Sequence, residues 1–142
     1  SLVEIPTRSE IHDNIVAAWI PRGTLPAGEE RRFAYRLNWL AAPPAAEGLA
    51  DFVSTRVGTV EGARAVRYVL DTARGGPAPE AAKVEASAGE IRHVTLRGNP
   101  ETGGQRLSFE LHHGGARLAE LRAVLLRGGA PVSETWLNRW TG

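Results

Sequence analysis

In the stretch Arg32-Phe33-Ala34-Tyr35-Arg36-Leu37-Asn38-Trp39, large apolar side chains sit at every odd position and small or polar ones between them. Successive strand residues point to opposite faces, so this period of two predicts a half-buried β-strand over Arg32–Leu40. The alternation recurs at Val66–Asp71, where Val66, Tyr68 and Leu70 share a face, and at Gln105–Leu111, where Leu107, Phe109 and Leu111 do. Further strands are predicted at Leu2–Ile5, Phe52–Val57, Lys83–Ala88, Glu90–Leu96, Leu118–Leu126 and Val132–Trp140. Asn14–Ile20 is apolar at nearly every position, the pattern of a strand covered on both faces. Gly, Pro and Asn punctuate the chain between these runs, as at Pro43-Pro44, Arg74-Gly75-Gly76-Pro77, Asn99-Pro100-Glu101-Thr102-Gly103-Gly104 and Arg127-Gly128-Gly129. No helical period competes. Short strands with turn signals about every 8–12 residues predict an all-β fold, an immunoglobulin-like β-sandwich. Its expected core is Phe33, Tyr35, Trp39, Phe52, Tyr68, Phe109 and their aliphatic neighbours.

Composition narrows the class. At 142 residues the chain suits one domain, and such a domain buries about 68–70% of its unfolded surface without staples. Seventeen basic and 16 acidic residues give a net charge of +1, which argues against a nucleic-acid or polybasic membrane surface. Lys83 is the only lysine, so the basic side chains are arginines, suited to gripping carboxylates or phosphates. With no cysteine, disulfides and thiolate metal sites are excluded. No run is long and apolar enough for a membrane-spanning helix. Methionine is absent even at position 1, so the expectation is a piece of a larger protein.

Candidate chemistry is sparse. His112 and His113 are adjacent, and strand neighbours face opposite ways, so the two do not share one metal. His12-Asp13 lacks a nucleophile at a recognisable spacing. Among Glu4, Glu10, Asp13, Glu110, Glu120 and Glu134, no two are placed by sequence at a glycosidase separation, and Glu110 and Glu120 read as solvated. Gly103-Gly104 and Gly114-Gly115 open no helix and are not phosphate loops. Arg92, Arg97, Arg106 and Arg122 fall on outward or turn positions. Trp19 and Trp136 read as core, and Trp140 as an interface candidate. No catalytic residue, metal ligand or cofactor site is assigned.

Three segments together resemble one family: Glu4-Ile5-Pro6-Thr7 followed by Asp13-Asn14-Ile15-Val16-Ala17-Ala18-Trp19-Ile20-Pro21; Phe33-Ala34-Tyr35-Arg36-Leu37-Asn38-Trp39; and Leu121-Arg122-Ala123 through Ser133-Glu134-Thr135-Trp136-Leu137-Asn138-Arg139-Trp140. Ser54-Thr55-Arg56-Val57-Gly58 and Asn99-Pro100-Glu101-Thr102-Gly103-Gly104 fit between them. The set resembles the C-terminal part of the periplasmic glucan biosynthesis proteins G and D. That resemblance implies a periplasmic location and a role in making osmoregulated β-1,2-linked glucans. It also implies a large upstream sandwich resembling endo-β-1,2-glucanases, which carries the catalytic carboxylates, and a smaller immunoglobulin-like domain after it. Residues 1–22 would be the last strand of that upstream sandwich plus a linker, and residues 23–142 the immunoglobulin-like domain. The expected role is an accessory domain bracing its carbohydrate-active neighbour, with β-1,2-glucan reached through that neighbour. Arg56, Glu134 and Trp140 are the interdomain-contact candidates. Gln105 stands where the family often has an aromatic, which implies a weaker contact there. The competing readings are a free-standing immunoglobulin-like protein-interaction module and a small independent glycoside hydrolase. Residues 1–20 would pair with a second copy of the chain or fold back.

Overall fold

Alternating stretches become strands only where a neighbouring strand completes the hydrogen-bond ladder, and in this chain most of them find one. The computed structural model describes residues 2–5, 16–41 and 47–142. Ten strands and no helix occur among the described residues. The chain divides into two compact units, residues 1–39 and 40–142. In the first unit β1 (Leu2–Ile5) pairs antiparallel with β2 (Val16–Trp19), Leu2 opposite Trp19 and Ile5 opposite Val16. The expected strand at Asn14–Ile20 is thus present over Val16–Trp19 and folds back on Leu2–Ile5; Asn14 and Ile15 lie outside the described residues.

The second unit is a sandwich of two antiparallel sheets. One sheet runs in the order β3 (Phe52–Thr59), β4 (Ala65–Thr72), β7 (Gly104–His112), β6 (Glu90–Asn99). The other runs β10 (Trp136–Thr141), β8 (Leu118–Arg127), β5 (Ala81–Ala86), with the two-residue β9 (Ala130–Pro131) also on β8. Arg127 pairs with Ala130 across Gly128-Gly129, both at positive φ. Two consecutive left-handed residues match the strand twist in such a hairpin, and glycine supplies them without a Cβ clash.

The core lies between the sheets. Tyr68 and Leu70 of β4 and Leu107, Phe109 and Leu111 of β7 meet Ala119, Leu121, Ala123 and Leu125 of β8, with Trp136 of β10 at one side. These are the residues that a period of two places on one face. Tyr68 stacks on Phe109 with ring centroids 5.2 Å apart, and Trp136 meets both rings edge-on at 5.6 and 6.0 Å. The Trp136 indole N–H donates to Thr55 Oγ1 at 2.9 Å. Burial of the Tyr68 ring pushes its phenol pKa up.

The core expectation fails at Phe33, Tyr35 and Trp39. They and Leu37 are 69%, 82%, 91% and 68% exposed, and residues 32–40 form no strand. Their alternation is real, but no described strand pairs with them, and an extended segment without a ladder leaves both faces in water. Phe52, Tyr68 and Phe109 pack as expected, Phe52 at the margin.

A polar groove on the outer sheet face

The positions alternating with the core residues of β4 and β7 face away from the sandwich. Cross-strand register aligns them in rows. Arg97, Arg106, Asp71 and Ser54 form one row, and Thr95, Ser108, Val69 and Arg56 the next. Glu110 and Arg67 lead the third, opposite Arg92 and Gly58. The rows floor a groove of about 820 Å³, with Arg56, Arg67, Arg97 and Arg106 around it. Thr95 Oγ1 and Ser108 Oγ lie 2.6 Å apart at its middle.

Two buried carboxylates anchor the arginines. Asp71 is 2% exposed. It accepts from Arg106 Nε at 2.6 Å and Arg106 Nη2 at 3.0 Å, and also pairs with Arg56. The Arg106 hydrogen bond, then Arg56, holds the Asp71 carboxyl below its ordinary range against the opposing effect of burial. Glu110 accepts at Oε1 from Arg67 Nη2 at 2.7 Å and Nε at 3.2 Å. Its other oxygen, Oε2, lies 2.9 Å from His112 Nε2 and 3.8 Å from His93 Nε2. Arg67, then His112, lowers its pKa as well. A glycosidase acid needs a raised pKa, so neither carboxyl suits that role. Glu110 is buried by its partners and is not the solvated residue that the sequence suggests. Glu120 is exposed as expected, paired with Arg139 at 2.6 Å.

His93 reaches this face through a backbone irregularity. The β6–β7 register shifts between Arg92 and Thr95, and His93 has φ 52°, the one positive value outside glycine among the described residues. Simple alternation from Arg92 would turn His93 toward the other sheet; a bulge re-aims the side chain. His93, Glu110 and His112 thereby bring three ligand atoms within 4.8 Å of one another. Sequence reasoning missed this group because it tested His112 against its neighbour His113. That neighbour's ring lies instead against Trp140, tilted by 33° with centroids 4.5 Å apart. Asp71 and Arg67 were also missed; only strand register pairs them with Arg106 and Glu110.

The β6–β7 turn closes one end of the groove. Asn99 Oδ1 accepts from Glu101 N–H at 3.1 Å and Thr102 Oγ1 from Gly104 N–H at 3.2 Å. Thr72 Oγ1 accepts from Gln105 N–H at 2.9 Å. A Cβ on Gly104 would lie 2.3 Å from Thr72 O and 2.5 Å from Ala73 O, so backbone crowding selects glycine there.

Of the expected contact residues, Arg56 lines the groove, half exposed. Glu134 lies before β10, half-buried, its N–H bonded to Ala50 O at 3.0 Å. Trp140 packs partly against the core. The structure brings no two of the three together in one site. Trp136 is core, as expected. Glu10, His12 and Asp13 lie outside the described residues, and the side chains of Glu4 and Trp19 are likewise not described.

Comparison with known proteins identifies the family. Residues 1–140 match the family described as Periplasmic glucan biosynthesis protein, MdoG. The chain is 46% identical over 147 aligned positions to glucans biosynthesis protein G of Vibrio cholerae, and 43% identical over 145 to that of Bradyrhizobium diazoefficiens. A Shewanella protein of the same name is 44% identical over 146 positions. Each alignment covers 99% of this chain but only 27–29% of the relative. The chain belongs to the MdoG family of periplasmic glucan biosynthesis proteins.

Proposed function

We propose that the chain is the C-terminal accessory part of a periplasmic protein of β-1,2-glucan biosynthesis or processing. In this reading an immunoglobulin-like domain braces a carbohydrate-active upstream sandwich, and the boundary between them, expected after residue 22, is moved to residue 39, where the first compact unit ends. The observation that carries it is the exposed alternating segment Phe33, Tyr35, Leu37 and Trp39. Four large apolar side chains at strand spacing, left in water, match a strand whose ladder and cover lie elsewhere. An apolar groove of about 690 Å³, lined by Ile20, Pro21, Phe33, Ala34 and Tyr35, adds to the surface awaiting cover. The relatives supply the missing length, since the chain spans less than a third of each.

The test compares the full-length protein with this chain. Tyr35→Ala with Trp39→Ala should lower the melting temperature and glucan-related activity of the full-length protein and leave residues 40–142 folded as before. Equal stability of the full-length variant and its parent would remove the reading. Arg56, Glu134 and Trp140 remain proposed interdomain contacts; Glu134→Lys is the cleaner probe, because Arg56 also holds Asp71. The isolated chain should not turn over β-1,2-glucan. Turnover abolished by changing one of its own carboxylates would make it an independent hydrolase.

The arginine-lined groove favours one second reading, a protein-interaction module that grips carboxylates. Charge reversal at Arg97, which lines the groove, separates the two: it should weaken such a partner while leaving the stability of the full-length protein unchanged.

A further inference from the structure

We propose that His93, Glu110 and His112 form a binding site for a divalent zinc-class ion on the outer face of the β3-β4-β7-β6 sheet. Two neutral imidazoles and one carboxylate are a donor set that suits zinc. The three come from two adjacent strands. Glu110 and His112 are two apart on β7 and therefore share a face. His93 is turned onto that face at the β6 bulge. Their ligand atoms lie within 4.8 Å of one another, with His112 Nε2 already 2.9 Å from Glu110 Oε2. A tetrahedral zinc with bonds of about 2.0–2.1 Å holds its ligands roughly 3.3 Å apart. His93 Nε2 lies 3.8 Å from Glu110 Oε2 on an exposed ring, so His93 is the ligand that would move to reach that spacing.

The surroundings divide the labour of Glu110. Its Oε1 is taken by Arg67, which fixes the carboxylate plane, and its Oε2 is directed at the two histidines. Such an outer partner is the usual support of a metal-binding carboxylate. Its positive charge opposes the ion, so the site is tuned to moderate affinity. Glu90 stands opposite His112 in the register, but its carboxylate is paired with Arg92 at 2.6 Å. Three protein ligands leave one position on a tetrahedral ion for water or an oxygen ligand. His93 and Glu110 also line the arginine groove, which gives such a ligand a place to lie.

Calorimetric titration of the chelator-stripped 142-residue chain with zinc chloride tests the proposal. One saturable site per chain is expected, with a zinc-dependent rise in melting temperature. His93→Ala and His112→Gln should each weaken binding by more than the roughly tenfold that loss of an outer-shell partner brings. His113→Ala, whose ring lies against Trp140, should leave it unchanged. Cobalt provides a second readout: visible absorption of a tetrahedral ion in the parent, lost in the double variant His93→Ala/His112→Gln. The metal-free melting temperature and near-ultraviolet circular dichroism of each variant report its folding separately. No saturable binding, or binding unaltered in a folded double variant, would overturn the site.

Discussion

Two tryptophans in one chain offer a direct test of where the core lies. Trp136 is 8% exposed and Trp39 is 91% exposed. Truncating a buried Trp to Ala costs about 3–5 kcal/mol. Trp136→Ala belongs in the upper part of that range for two reasons. It removes both edge-on contacts with Tyr68 and Phe109, each worth roughly 0.5–1.5 kcal/mol beyond area. It also deletes the hydrogen bond to Thr55. Against a total stability of about 5–15 kcal/mol, that is a third or more of what holds the sandwich together. At roughly 4 °C per kcal/mol for a unit of this size, an upper-range cost of about 4–5 kcal/mol should lower the melting temperature by about 16–20 °C. Trp39→Ala removes no packed contact and should move the same transition by less than about 2 °C. Thermal melts followed by near-ultraviolet circular dichroism, which reports the Tyr68–Phe109–Trp136 cluster, measure both variants side by side. A drop for Trp39→Ala matching that of Trp136→Ala would refute the assignment of the core.

Asp71→Asn should lower stability at neutral pH, because it leaves Arg106 and Arg56 without their shared carboxylate. The folded-state pKa of Asp71 is depressed, so its contribution is present above the unfolded value near 3.8 and is lost as pH falls through the lower folded value. The difference between parent and variant, followed by urea denaturation, should shrink below about pH 4, and a difference unchanged at about pH 2 would contradict the linkage. Gly104→Ala should cost roughly 1–3 kcal/mol or more in chemical denaturation, since its Cβ meets the backbone oxygens of Thr72 and Ala73. Gly58→Ala, which meets nothing within 4 Å, is the matched control and should be near neutral or stabilising.

The sandwich was legible where alternation and burial agree. Val66–Asp71 and Gln105–Leu111 show their inward faces in sequence, and the structure buries Tyr68, Leu70, Leu107, Phe109 and Leu111 as those patterns demand. Arg32–Trp39 has the same pattern and misleads, because alternation records which faces a segment can offer and not whether a partner strand is within reach. The outer groove was illegible for a related reason. Asp71 with Arg106, and Glu110 with Arg67, are joined by register between strands distant in sequence, which no local spacing encodes. His93 was hidden further by its bulge, which reverses the face that counting from Arg92 assigns. Glu110 read as solvated because a charge at an outward position ordinarily is; its burial comes from the arginine and histidines laid over it.

One contact in the second unit bears on how the protein is made. Ala50 sits before the first strand of the sandwich and bridges in parallel to Ser133, its N–H bonded to Val132 O and its C=O to Glu134 N–H. Thr55, at the beginning of the sandwich, is hydrogen-bonded to Trp136 near the end of the chain, 81 positions away. The earliest and latest segments of the unit therefore close on each other, and the last strand supplies an aromatic of the core. A chain emerging in order from its N-terminus cannot complete this sandwich until β10 has been delivered, so cooperative folding must wait for that strand. Loss of the final strand would leave the unit unable to close, however much of the rest had already been synthesised.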